Sequence, residues 1–152
     1  MAITCQTVQD YLHTHIPLAK AMAVSVESLQ GGVILTAPLE PNLNHRGTAF
    51  GGSISTLAIL SAWAFVHVRL QEQAIPHRLV IRRNSVEYLK PIDGVLSVHC
   101  QAPPQNKWGQ FINTLMRKGK GRINLEANIL CGQILAGLFK GEYVALKPNI
   151  HS

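Results

Sequence analysis

The sequence predicts an α+β fold in which an antiparallel sheet of about six strands wraps around one long central helix. Two observations carry this prediction. The stretch from Ser53 to Leu70 contains no proline or glycine and is apolar on nearly every side of a helical wheel, which is typical of a helix buried on all sides. Much of the remaining chain consists of short stretches with β-branched or alternating apolar residues, which indicate strands. The length of 152 residues fits one domain.

Before the central helix, the sequence predicts a short helix and a two-stranded hairpin. Thr7 to Ile16 carries its apolar residues on one face, and Pro17 is expected to end that helix. Ala21 to Ser28 alternates in polarity and is predicted to be the first strand. The turn Gln30-Gly31-Gly32 then leads into a second strand from Val33 to Ala37.

After the central helix, the pattern predicts four more strands with one helix among them. The helix is indicated by the spacing of Trp108, Phe111 and Leu115, which places them on one face. We expect these elements, in order, as a strand from Arg78 to Leu89, a strand from Val95 to Gln101, a helix from Pro103 to Lys118, a basic loop from Arg117 to Arg122, and strands from Ile123 to Leu130 and from Ile134 to Leu146.

The segment that opens the central helix, Asn44 to Gly52, is polar and rich in glycine. Gly51 and Gly52 allow a tight turn or a close approach of the backbone to a ligand, and the two uses are compatible. Ser53 follows them and is predicted to cap the helix with its hydroxyl group. Free N–H groups and the positive end of the helix dipole favour an anion or a developing oxyanion, so we expect the functional site here.

Composition narrows the class of protein. Ile54 to Val68 has the composition of a membrane span but is shorter than the roughly 20 residues that a span needs, so a buried helix is the favoured interpretation. Met1 to Tyr11 lacks the pattern of a signal peptide. Three widely spaced cysteines predict reduced thiols, and together these features predict a cytoplasmic protein without a membrane partner. The histidines are scattered, so no metal site is expected.

The order of elements and the loop motif resemble a known family. The motif N-x-x-G-T-x-F-G-G-S from Asn44 to Ser53, followed by a long helix containing Trp63, resembles the hotdog fold of acyl thioesterases. The similarity is closest to the thioesterase domain that follows a GNAT-type acetyltransferase domain in some bacterial proteins. The blocks from Gly119 to Leu125 and from Gly141 to Leu146 are also similar, so the resemblance implies a single domain over residues 1–152.

The resemblance implies roles for the loop residues. In phenylacetate-type hotdog thioesterases, a His-Gly-Gly sequence places a glycine N–H against the thioester carbonyl, and Gly51 and Gly52 match its glycines. Phe50 stands where those enzymes carry the histidine, so an aromatic wall replaces a polar group. Asn44 matches a functional asparagine upstream, and the alternative is an asparagine that only stabilises its own turn.

One catalytic group implied by the resemblance is missing. Those enzymes activate water with an Asp or Glu on the central helix, but the matching residue here is Ile59, and no acid occurs between Glu40 and Glu72. Water activation must therefore come from the loop, the third strand or a second subunit. The candidates are Asn44 as a group that orients water, His45 as a base, Glu87 as a base, and Ser53 or Ser85 as helpers of Asn44.

Basic residues outnumber acidic ones and give a net charge of +6. Arg82 and Arg83, with the stretch from Lys118 to Arg122, are predicted to bind the phosphates of coenzyme A or phosphopantetheine. A solvated surface is the alternative, whereas nucleic acid is not favoured because the aromatic residues are few and not interleaved with the basic ones. The predicted substrate contacts, all on the loop or the third strand, are Phe50, Ser53, Arg82, Arg83, Asn84 and Ser85.

The predicted function is hydrolysis of an acyl-CoA or acyl-carrier thioester, a small-molecule substrate, without a separate cofactor. A module that binds such thioesters without catalysis is the alternative, and a dehydratase is a weaker one because its helix acid is also missing. The composition of 47% hydrophobic and only 14% charged residues suggests surface shared with another subunit. The resemblance implies a homodimer or tetramer whose sheets join edge to edge.

Overall fold

The computed structural model describes residues 2–148, which form one antiparallel sheet curled around a long helix. The described elements follow in this order: α1 (Cys5–His15), α2 (Pro17–Ala21), β1 (Ser25–Ser28), β2 (Gly32–Ala37), α3 (Gly51–Glu72), β3 (Arg78–Tyr88), β4 (Leu96–Gln101), α4 (Gln105–Lys118), β5 (Lys120–Cys131) and β6 (Ile134–Leu146).

The sheet has six strands in the order β1-β2-β4-β5-β6-β3, and every neighbouring pair is antiparallel. This confirms the predicted α+β class and the predicted number of strands. β3 directly follows α3 but joins the far edge of the sheet, where it pairs with β6 from Arg78 opposite Leu146 to Tyr88 opposite Gly137. β3 is therefore an edge strand that has a neighbour on one side only.

α3 packs against the inner face of the curled sheet. Trp63 Nε1 donates a hydrogen bond to the Leu79 carbonyl oxygen of β3 at 3.1 Å, and the Tyr143 hydroxyl of β6 donates to the Ile59 carbonyl oxygen at 2.6 Å. By length and composition α3 could cross a membrane, but 67% of its most apolar window is buried inside the protein. The helix is thus the core of the domain, as its all-round apolar pattern predicts.

α4 packs beside the first half of β5 through the face that the sequence predicts. Phe111 and Leu115 are buried, and the Trp108 ring meets Phe65 of α3 edge-on with 5.8 Å between ring centroids. Gly121 of β5 makes the close packing possible, because a Cβ atom there would lie 2.9 Å from the Phe111 carbonyl oxygen.

The predicted start of the first strand at Ala21 is wrong, because Pro17 ends one helix and opens another. Proline suits the first turn of a helix, where its missing N–H has no partner to lose, so α2 runs from Pro17 to Ala21. Ala23 then adopts a positive φ of 59°, and β1 begins only at Ser25.

The predicted basic loop from Arg117 to Arg122 is also wrong. α4 continues to Lys118 and β5 begins at Lys120, so only Gly119 separates them. Gly119 has a φ of 75° and donates its N–H to the Leu115 carbonyl oxygen at 2.8 Å. A left-handed glycine ends a helix within one residue, and the basic side chains therefore project from a helix end and a strand.

Candidate functional site

The loop before α3 is held in shape by the side chain of Asn44. Its amide nitrogen donates to Thr48 Oγ1 at 2.8 Å and to the Ala49 carbonyl oxygen at 3.3 Å. Its amide oxygen accepts from the backbone N–H groups of Arg46 at 2.8 Å and Thr48 at 3.1 Å. A carboxamide has two donor hydrogens and two acceptor lone pairs, so all four hydrogen bonds that the Asn44 side chain can make are formed within the loop.

Asn42 anchors the start of this loop in the core, a role that the sequence pattern does not predict. Its side chain is 2% exposed and donates to the carbonyl oxygens of Met22 at 3.0 Å and Pro38 at 2.8 Å. The backbone carbonyl oxygen of Asn42 accepts a hydrogen bond from the Phe50 N–H at 2.8 Å. Within residues 2–148, Asn42 Oδ1 is the buried side-chain polar atom without a hydrogen-bond partner. A polar residue after a proline gives no sign of such burial in the sequence.

α3 begins at Gly51, so the prediction that Ser53 caps the helix is wrong. Phe50 is the N-cap residue, with φ −65° and ψ 133°, and its side chain caps none of the N–H groups of the first turn. Ser53 instead occupies the third helical position. The N–H groups of Gly51, Gly52 and Ser53 precede the first possible helical hydrogen-bond donor, so they open at the helix end without a capping side chain. Such an end attracts negative charge.

Two exposed aromatic side chains flank this helix end. Phe50 is 56% exposed and Tyr88 is 55% exposed. The Phe50 ring lies so close to Gly52 that a Cβ atom there would be 2.5 Å from Cε1 of the ring. The Tyr88 hydroxyl donates to the Gly51 carbonyl oxygen at 3.0 Å. Gly52 therefore makes room for the Phe50 ring, and Tyr88 joins the site because β3 runs beside α3.

No carboxylate of α3 lies near its first turn, since the only acid in the helix is its last residue, Glu72. Ile59 is half-buried at the position that matches the acid of phenylacetate-type enzymes, and its carbonyl oxygen accepts the Tyr143 hydroxyl. Burial raises the pKa of Tyr143, so this hydroxyl keeps its proton. Burial also raises the pKa of the Cys100 thiol to about 12, so Cys100 does not provide a thiolate nucleophile.

The structure separates the remaining candidates. His45 is exposed in the loop, next to Asn44. In β3, Val86 packs against the core, and side chains alternate between the faces of a strand. Asn84 therefore shares the face that looks toward α3, whereas Ser85 and Glu87 lie on the opposite face. Within one chain, Glu87 does not point toward the start of α3.

Arg82, Arg83 and Arg122 converge on Glu142. Their distances from its carboxylate oxygens are 3.4 Å, 3.2 Å and 3.9 Å respectively. The ladder between β3 and β6 shifts register between Ile81 and Arg83, which allows Arg82 and Arg83 to reach the same carboxylate. Three guanidinium groups around one carboxylate leave a surplus of positive charge on the face of the sheet turned away from α3.

Comparisons with known proteins agree with this architecture. Residues 5–147 match the family described as "Putative thioesterase (yiiD_Cterm)". A solved protein of unknown function from Chlorobaculum tepidum is 34% identical, with a TM-score of 0.89 over 95% of this chain and 94% of that one. A Shewanella oneidensis protein described as a putative thioesterase is 27% identical, with a TM-score of 0.84 over 95% and 97% of the two chains.

A thioesterase from Haemophilus influenzae shares the fold at 10% identity, with a TM-score of 0.77 over 100% of this chain and 97% of that one. These TM-scores show that the three structures share the fold of this chain. The family match extends over nearly all of the described residues. The chain therefore belongs to the thioesterase-type family described as "Putative thioesterase (yiiD_Cterm)" and has the hotdog fold.

Proposed function

We propose that this protein hydrolyses an acyl thioester whose thiol is coenzyme A or the phosphopantetheine arm of an acyl carrier protein. The observation that carries the proposal is the uncapped start of α3, which opens between two exposed aromatic rings. N–H groups placed in this way stabilise the negative charge that develops on a thioester carbonyl oxygen. Gly51 and Gly52 are the proposed donors, and Phe50 and Tyr88 supply apolar surface for the acyl or pantetheine chain.

Water activation is assigned to His45, with Asn44 as the residue that positions the loop. Asn44 uses its amide group within the loop, which supports a role in holding the Gly51–Gly52 turn more than a role in orienting water. Histidine is the side chain that most often serves as a general base. Glu87 serves this site only if a second subunit brings it to the loop.

Binding of the carrier is assigned to the arginine cluster and the neighbouring strand residues. Arg82, Arg83 and Arg122 exceed the charge of Glu142, so the cluster retains attraction for phosphate groups. The cluster and the start of α3 lie on opposite faces of β3. A pantetheine arm that crosses the edge of β3 would connect them, with Asn84 and Ser85 as contacts along the way.

The proposed assembly is a homodimer, or a dimer of dimers, joined along β3. This edge strand has 11 residues, and Val80 and Tyr88 within it are 53% and 55% exposed. A long exposed edge with apolar side chains is a surface that pairs with another chain. Two paired copies of β3 would bring both helix starts close to the interface. A light-scattering mass equal to one chain at micromolar concentration would contradict this assembly.

One observation favours a second candidate function, a module that binds acyl thioesters without cleaving them. α3 lacks an acid before Glu72, so the carboxylate that activates water in the phenylacetate-type enzymes has no counterpart on this helix. Such a module would keep the N–H groups and the aromatic rings of the site. It would bind a CoA thioester but release no thiol.

The experiment that separates the two functions measures free thiol release from a panel of acyl-CoA thioesters across the pH range. We expect the rate to rise with pH as a histidine base loses its proton, and the His45→Ala variant to lose that rise. Arg46→Ala is the matched control, because Arg46 is exposed in the same loop and contributes only its backbone N–H to the Asn44 contact.

The variants Asn44→Ala and Glu87→Gln complete the series. Glu126→Gln is the control for Glu87, because Glu126 is an exposed strand acid that pairs with Lys140. Full activity in the Asn44, His45 and Glu87 variants would place the site elsewhere. Binding of a CoA thioester without turnover by the wild type would favour the binding module.

A further inference from the structure

A cleft lies near the end of α3 opposite to the candidate thioester site, between α1 and the connection from α3 to β3. Its volume is about 600 Å³, within the range of small-molecule sites. Ile3, Val8 and Ile75 provide apolar walls, and Tyr11 and His67 provide rings. Among the residues that the structure describes, no Asp, Glu, Lys or Arg lines the cleft. From Gly51 to His67 the helix rises about 24 Å, so this cleft is separate from the thioester site.

His67 is the buried polar group of this cleft. Its side chain is 8% exposed and stacks on Trp63 and Tyr11, with 4.6 Å and 4.8 Å between ring centroids. Its Nδ1 lies 2.9 Å from His77 Nε2. Its Nε2 has no hydrogen-bond partner among residues 2–148, and the protein does not fully enclose this atom. Because His67 lines the cleft, we infer that Nε2 faces the open space.

The hydrogen bonds determine which nitrogen carries the proton. His77 Nδ1 lies 2.8 Å from the Ile75 carbonyl oxygen, and a carbonyl oxygen only accepts, so Nδ1 is the protonated nitrogen of neutral His77. His77 Nε2 must then accept from Nδ1–H of His67. Neutral His67 is left with a bare lone pair on Nε2. Burial lowers the pKa of His67 to about 4, and His77 and His15 act in the same direction, so the ring is neutral at pH 7.

We propose that this cleft binds a small neutral aromatic molecule that donates one hydroxyl or N–H hydrogen bond to His67 Nε2. The fixed acceptor requires a donor on the ligand, and the absence of charged lining residues disfavours an ion. The rings of Tyr11 and His67 offer a surface on which a flat ligand stacks. This site is independent of the proposed thioesterase activity.

Phenol and anisole form the test pair, because they have similar rings but only phenol carries a hydroxyl donor. Protein labelled with ¹⁵N-histidine is titrated with each, and the His67 Nε2 signal is assigned by its loss in the His67→Phe variant. We expect phenol to shift this signal in a saturable way. Calorimetry is expected to show about fivefold to tenfold weaker binding of anisole, since one hydrogen bond is lost.

Two further variants test the cleft without replacing the buried His67 side chain, so the result does not depend on whether His67→Phe folds. Gln71→Trp places a large side chain in the cleft lining and is expected to weaken phenol binding at least tenfold by steric exclusion. Gln73→Trp is the matched control, because Gln73 is exposed nearby but does not line the cleft. Equal affinity for phenol and anisole, an unshifted His67 signal at the solubility limit of phenol, or normal phenol binding by Gln71→Trp would each overturn the proposal.

Discussion

Substitution of Gly51 by proline tests whether the start of α3 acts on the thioester carbonyl. Proline removes the N–H of the first helical residue, which has no partner within the helix. The local structure accommodates the change. Phe50 already has the extended conformation that a residue before proline adopts, with φ −65° and ψ 133°. A Cβ atom on Gly51 would lie 3.6 Å from the Tyr88 ring, an ordinary contact.

We therefore expect Gly51→Pro to change the free energy of unfolding by less than about 1 kcal/mol, since proline is favoured at the first helical position. The effect on catalysis should be far larger. Loss of one oxyanion donor typically lowers kcat by about 10²–10³, or roughly 3–4 kcal/mol in the activation free energy. Gly51→Ala is the control, because it adds a Cβ atom at the same place and keeps the N–H.

The assay combines urea unfolding with steady-state thiol release for wild type, Gly51→Ala and Gly51→Pro. A Gly51→Pro protein that unfolds like wild type and retains its kcat would refute the assignment of Gly51 as an oxyanion donor. Gly52→Ala is less useful as a control, because its Cβ atom would meet the Phe50 ring at 2.5 Å and displace it.

Three other predictions follow from packing and charge. Gly109→Ala should stabilise the fold by up to about 1 kcal/mol, because Gly109 lies in α4 with open space around it. Gly121→Ala should destabilise the fold by about 1–3 kcal/mol, because the added Cβ atom crowds α4. The midpoints of urea unfolding measure both effects. As pH falls from 6.5 to about 4, wild type should lose stability that His67→Phe does not lose, because the unfolded chain takes up this proton before the folded chain does. Glu142→Gln should strengthen CoA binding several-fold at low ionic strength and less at high ionic strength, because it leaves the three guanidinium groups without a carboxylate; calorimetry measures the affinity.

Each of these predictions has a clear contrary outcome. Equal stability of Gly121→Ala and wild type would show that α4 shifts away from β5 without cost. Parallel pH curves for wild type and His67→Phe would show that His67 has the same pKa in the folded and unfolded chains. A CoA affinity that ignores both Glu142→Gln and ionic strength would remove the arginine cluster from the phosphate site.

The large elements of this fold could be predicted because burial leaves a periodic trace in the sequence. A helix enclosed on all sides must be apolar on all sides, and α3 shows this pattern directly. Strands that bury one face alternate in polarity, as β5 does from Lys120 onward. Element ends were less predictable, because single residues such as Pro17 and Gly119 determine them through backbone conformation.

The sequence predicts the start of α3 as the location of a candidate site, but it does not predict which distant side chains the fold brings there. The adjacent glycines Gly51 and Gly52 indicate, from the sequence alone, a tight turn or a close approach of the backbone to a ligand. Asn42 and Tyr88 do not, because their contacts join distant parts of the chain: Asn42 reaches Met22, and Tyr88 reaches Gly51 across 37 positions. The Tyr88 contact exists only after β3 has taken its place beside α3, and the Asn42 contact only after the loop has folded against the end of α2.

The sequence by itself determined that one apolar helix is enclosed by antiparallel strands and that a glycine pair opens this helix. Only the tertiary structure decided the strand order and the direction of each side chain on β3. Leu79 and Ile81 face the core before the register shift near Arg82, and Val86 faces it afterwards, so the bulge moves the core-facing positions from odd to even residue numbers and thereby makes Asn84, not Glu87, share the face toward α3. Side-chain alternation is local, but the face that becomes buried depends on which strands and helices pack against it.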